Sequence, residues 1–244
     1  MLLTVVPLAA KAEVVLGMLL TVRHRAVRLA GLLCVVVIGL GVFDEGEPEL
    51  ARQYQTVLLV GGSLAAVGGS RLFAPGAALA ALRRSAGPWW LAPVGRLVGV
   101  LLVVWPLVGI GTGALAGPSA DWQTATRLGL IAGLHAAAVA ALTLALAPAL
   151  GATAAGTLGL SAAWLGGIPP SGVLELFGGW SYVQRPAVLL WNVLPLNWRA
   201  ARWFRAGTVE DLLVLGGWVV LGVMLAAWSA GCVYRGERPA EERA

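Results

Sequence analysis

Residues 128–168 read LGLIAGLHAAAVAALTLALAPALGATAAGTLGLSAAWLGGI. These 41 residues carry no formal charge, and their one ionisable side chain is His135. A membrane-crossing helix needs about 20 apolar residues, so the stretch is too long for one span and right for two. Pro148 and Gly151 stand near its middle, and both residue types punctuate helices. The stretch reads as a helical hairpin with arms over about 124–147 and 151–168.

The rest of the chain has the same character. Of 244 residues, 59% are hydrophobic and 12% charged, and mean hydropathy is +0.83. Soluble domains carry about twice that charged fraction, so too little polar surface is left to cover a water-soluble globule. The fold class is an all-α integral membrane protein, a single transmembrane domain over 1–244. Further apolar runs lie at about 26–43, 53–70, 97–117 and 210–233, which makes six transmembrane helices with the hairpin. Residues 2–22 are also apolar, but Lys11 and Glu13 interrupt them and Pro7 precedes these. They read as an N-terminal helix lying in the cytoplasmic interface. No basic region precedes their apolar part and more spans follow, so the segment reads as retained rather than as a cleaved signal peptide.

The net charge of +5 is distributed as a membrane protein distributes it. With the N-terminus inside, eleven basic residues, among them Arg23, Arg25, Arg28, Arg71, Arg83, Arg84 and Arg96, face the cytoplasm against four acidic ones. The outer side holds six basic and eight acidic residues, including the run DEGEPE at 44–49. This follows the positive-inside rule and places both termini in the cytoplasm; no nucleic-acid partner is implied. The arginines of the loop between the fifth and sixth runs, Arg185, Arg199, Arg202 and Arg205, run against the rule. Lys11 is the one lysine and stands in no Gly-rich phosphate loop, so the chain has no ATPase site of the Walker type. Cys34 and Cys232 lack the spacing of a disulfide framework or a zinc site. DEGEPE reads as a solvated loop, without the spacing of a calcium loop, so no metal or other cofactor is expected in this chain.

Between the second and third runs lies RLFAPGAALAALRRSAGPWWLAPVGRL, residues 71–97, with four arginines and no acid. Pro75 suits a first helical turn, GAALAALRRSA is a strong helix former, and Gly87-Pro88 ends it. A short cytoplasmic helix over about 75–86 results, with Leu79 and Leu82 on one side. It is either a loop whose arginines hold topology or a helix that docks on a partner.

Taken together, LAAKAEVVLGMLLTVRHRAVRLAGLL at the start, this 71–97 segment, and LLWNVLPLNWRAARWF before the last run resemble the permease subunit of a type-2 ABC exporter. The resemblance implies that 75–86 is a coupling helix contacting an ATPase, with Gly76, Leu79, Leu82, Arg83 and Arg84 at the contact. It implies two permeases, identical or homologous, above two separate ABC ATPase subunits that bind ATP and Mg, in a bacterial cytoplasmic (inner) membrane. The exported cargo would be a lipid, glycan, peptide or drug-like molecule. Family members carry acidic residues just before the coupling helix; here GSRLFAPGAALA has none, and Ala77 stands where a Thr is usual. That departure keeps a second reading open, a non-transporting membrane scaffold for a larger complex. A membrane enzyme is weaker still, for no pair of catalytic groups converges at one depth.

Three other features stand out. Gly109, Gly113 and Gly117, and Gly129 and Gly133, recur at four-residue spacing, which brings helices close in lipid; they read as intrachain packing or a dimer seam. His135 is the one ionisable side chain well inside a run, and such groups are candidates for function. It is either a proton relay or ligand, or a neutral His bonded to a neighbouring helix. In 191–205, Arg199, Arg202 and Arg205 share a helical face with Trp203 and Phe204 turned away. This reads as an outward-facing amphipathic helix on membrane lipid, either an anchor or a lid for an anionic headgroup. Pro169-Pro170 and Gly178-Gly179 mark the preceding loop as broken or re-entrant.

Overall fold

The computed structural model describes residues 2–23, 25, 28, 32, 47–71, 90–116, 122–176, 181–194, 197–206 and 208–236. Nine helices are defined among them: α1 (Leu2–Arg23), α2 (Glu47–Arg71), α3 (Leu91–Ala116), α4 (Trp122–Leu150), α5 (Ala152–Leu165), α6 (Pro170–Leu176), α7 (Ser181–Val193), α8 (Asn197–Ala206) and α9 (Val209–Gly236). The described residues form no strand. Three stretches are long and apolar enough to cross a membrane: Leu91–Gly113, Gln123–Leu150 and Val209–Ser229. The chain is a membrane protein, all-helical among the described residues.

The hairpin of 128–168 turns on a single residue. Gly151 takes φ 81°, a left-handed conformation that costs glycine nothing. Its N–H donates to the Ala147 carbonyl at 2.9 Å, and its own carbonyl accepts from Ala155 at 3.0 Å. Pro148, lacking an N–H, lies inside the last turn of α4. The two arms are unequal. α4 has 29 residues, whereas α5 has 14 and is about 21 Å long at 1.5 Å per residue. That is shorter than the roughly 30 Å hydrocarbon core, so the second arm falls short of the expected span over 151–168. The run at 53–70 lies within α2, whose apolar residues are diluted by Gly61, Gly62, Ser63, Gly68, Gly69 and Ser70. Most of the run at 26–43 lies outside the described residues.

α4 is the axis of the bundle. It packs against α2, α3, α5, α8 and α9, and 72% of its apolar window is buried against 22% for α9. Its sequence explains this: Ala136, Ala138, Ala140 and Ala141 are at most 1% exposed, and side chains this small let neighbouring backbones approach. Three helices meet the Ala140–Thr143 turn with a glycine. A Cβ on Gly69 of α2 would stand 2.6 Å from the Ala140 carbonyl oxygen, and one on Gly222 of α9 would stand 2.7 Å from the Ala141 carbonyl carbon. Gly159 of α5 lies against the Thr143 methyl and 2.9 Å, by the same measure, from Ala66 of α2.

α1 and α3 form a second seam, running in the same direction. A Cβ on Gly95 would meet Glu13 at 2.7 Å, one on Gly99 the Met18 nitrogen at 2.7 Å, and one on Gly17 the Arg96 Cα at 2.8 Å. Glu13, Gly17 and Thr21, one turn apart, are buried, while Val15, Leu19 and Val22 are about half exposed. α1 therefore turns a small and polar stripe inward and an apolar side outward. Of its charges, Lys11 and Arg23 are exposed and Glu13 alone is turned inward. The reason is that Glu13 finds its counter-charge inside.

Candidate functional site

The first buried polar constellation joins α1 to α3. Arg96 Nε donates to Glu13 Oε2 at 2.8 Å, with Arg96 fully buried and Glu13 4% exposed. Arg96 is the one charge of α3 and Glu13 the one acid of α1, and a charge in such apolar surroundings is retained when it is paired. The sequence reading assigned both to the cytoplasmic edge. The pair cancels within itself, so the inward excess of positive charge is unchanged.

The second constellation lies where α8 folds back on the start of α9. The Asp211 carboxylate, fully buried, accepts from Arg199 Nη1 at 3.0 Å and from Arg202 at 2.6 and 3.1 Å. Thr208 Oγ1 adds a bond at 2.8 Å. Glu210 lies 3.3 Å from Arg199, and Arg199 also donates to the Asn192 carbonyl of α7. The Trp198 ring carries both guanidiniums on it, 4.7 and 5.0 Å from its centroid. Hydrogen bonding to Asp211 raises the pKa of Arg202 above the ordinary value, outweighing the lowering effect of burial.

This geometry corrects the reading of 191–205 as one outward-facing amphipathic helix. α7 ends at Val193 and α8 starts at Asn197, and the sequence between them holds Pro195, a residue with no N–H to give a helical ladder. Arg199 points inward, 2% exposed, onto Asp211. Arg199 and Arg202 are thus paired with Asp211 within this loop, while Arg185 is exposed. The side chains of Trp203 and Arg205 lie outside the described residues.

α6, α7 and α8 are tied to the bundle by backbone acceptors. Trp191 Nε1 donates to the Ile168 carbonyl at 2.8 Å, Gln184 to that of Leu174 at 3.1 Å, and the Trp198 amide to Gly166 at 2.8 Å. Trp218 of α9 donates to Val193.

His135 is fully buried in α4, and its Nε2 faces Gly62 of α2, 3.2 Å from where a Cβ would stand. The expected glycine seam is divided. Gly129 and Gly133 of α4 receive Thr112 and the Trp105 indole of α3, whereas nothing lies within 4 Å of a Cβ on Gly109 or Gly113. These two border a groove of about 250 Å³ between α3 and α4. Gly117 and the coupling-helix residues Gly76, Leu79, Leu82, Arg83 and Arg84 lie outside the described residues.

Sequence reasoning missed the Glu13–Arg96 pair, the role of Asp211, and the glycines that α2, α5 and α9 bring to α4. The signals were present: one acid and one arginine of opposite sign in two apolar helices, an acid at the mouth of the last span, and an alanine run that only small partners can approach. Among the described residues no group of His, Cys, Asp and Glu could hold a metal ion. Compared with known proteins, the chain matches no family model, no curated protein and no solved structure.

Proposed function

We propose that the chain is the membrane-spanning permease subunit of an ATP-driven exporter of the type-2 ABC class. In this reading six helices cross a bacterial cytoplasmic membrane and both termini are cytoplasmic. Two permeases, identical or homologous, pair above separate ATPase subunits that bind ATP and Mg. Gly76, Leu79, Leu82, Arg83 and Arg84 dock the chain on the ATPase, whose closure moves the permeases against each other. The cargo is a lipid, glycan, peptide or drug-like molecule, and this chain breaks no bonds itself.

The observation that carries the reading is the break between the fifth apolar run and the last span. Three short helices, α6, α7 and α8, stand there, and the last is folded back on the bundle by Arg199, Arg202 and Asp211. This agrees with the outer segment that the resemblance implies, as the basic 71–97 segment agrees with a coupling helix. The alternative, a membrane scaffold without transport, is favoured by the missing acids before that helix.

The test is capture of the tagged full-length chain from its native membrane in mild detergent, with ATP hydrolysis measured on the captured material. The proposal expects a stoichiometric ATPase that is lost from Leu79→Asp/Leu82→Asp, while that variant still elutes as a folded membrane protein. Capture of the wild-type chain with no ATPase overturns the exporter reading in favour of the scaffold.

A further inference from the structure

The α3–α4 groove has no occupant within the described residues. Its α3 wall is Trp105, Gly109 and Gly113, its α4 wall is Gly129 and Leu130, and it opens sideways from two membrane-crossing helices. The lining is mainly apolar. Two hydroxyls line it: that of Thr112 is bonded back to the Val108 and Gly109 carbonyls at 3.0 and 3.2 Å, and Thr126 is engaged within the protein. The space therefore suits hydrocarbon.

The charge next to its α4 wall in sequence is Arg127, which follows Thr126 and is not itself part of the lining. Arg127 is exposed, forms no ion pair among the described residues, and lies one turn before Leu130 on the same edge of α4. It is five residues inside the start of α4, about 8 Å along the axis, a depth from which an arginine reaches the headgroup layer. A second copy of the chain is a poor occupant. Two-fold pairing through this groove would apply the same edge to both copies and bring Arg127 towards its own counterpart. A phosphate would instead complete the charge.

We propose that the α3–α4 groove binds one acyl chain of a phospholipid whose phosphate is held by Arg127. The site rests on the chain being embedded in a membrane and is independent of the exporter reading.

The test uses the full chain in phosphatidylcholine nanodiscs containing a trace of phosphatidylglycerol with a diazirine on one acyl chain. Photolabelled peptides are mapped and compared with the lipid-exposed face of α9. The expected result is label concentrated on 105–113 and 125–130 above that on α9. Gly113→Leu, at a position where an added Cβ meets nothing within 4 Å, should abolish the excess without lowering the melting temperature. Arg127→Gln should reduce it and remove any preference over an uncharged diacylglycerol probe. Label spread over α3, α4 and α9 in proportion to exposed area means ordinary boundary lipid and overturns the proposal. So does a disulfide between copies through Gly113→Cys that excludes the probe.

Discussion

Removing one partner of a buried ion pair leaves the other charge in a medium that cannot solvate it. Glu13 and Arg96, both buried and 2.8 Å apart, are in that position. Glu13→Ala or Arg96→Ala alone is expected to cost about 3–5 kcal/mol, seen as a large fall in the detergent melting temperature. The double replacement Glu13→Leu/Arg96→Met should recover most of the loss, because a well-packed apolar pair of similar size avoids the desolvation cost. A double variant no better than either single one would show that the pair acts through something other than mutual neutralisation. Asp211 obeys the same logic: two guanidiniums on one buried carboxylate explain why arginines that looked like an outer, lipid-facing row are turned inward.

At the scale of the helix, glycine has two opposite meanings in this chain, and the neighbour decides which. Gly99 of α3 faces the backbone of α1, where neither the Val14 carbonyl nor the Met18 nitrogen can retreat. Gly99→Ala should separate α1 from α3 at a cost of about 1–3 kcal/mol. Gly109, on the same helix, faces open space, and Gly109→Ala should be neutral or stabilise by up to about 1 kcal/mol, since alanine holds helical backbone better. Thermal melts of the two variants should move in opposite senses; equal losses would mean that Gly109 is covered by a partner. The four-residue glycine spacing was plain in the sequence, but it does not distinguish these cases, because spacing shows which residues share a face and not what that face meets. For the same reason the turn at Gly151 was legible from a local Pro-Gly signal, while the meeting of Glu13 with Arg96, 83 residues apart, was not. Composition revealed the helical membrane class, whereas 191–205 was read as one helix although Pro195, which cannot donate to a helical ladder, stands within it. The inward turn of Arg199 depended on where Asp211 came to lie.

Over the whole molecule, the bundle is built on the alanine-rich middle of α4. α2, α5 and α9 each bring a glycine to one of its turns, while α1 is attached through α3. That core contains helices of unequal reach, and α5, at 14 residues, decides the topology. If 151–168 completes a crossing, three crossings separate the 71–97 segment from α6, and the two lie on opposite sides of the membrane, as a permease with a cytoplasmic coupling helix requires. If α5 turns back within the bundle, two crossings separate them and they lie on the same side. The direct measurement is labelling by a membrane-impermeant maleimide in intact spheroplasts. Ser85→Cys and Ser171→Cys, the latter exposed on α6, are introduced singly with Cys34 and Cys232 replaced by alanine. The account predicts that Ser171→Cys labels from outside and Ser85→Cys only after the membrane is opened. Labelling of both from one side would contradict the six-span permease.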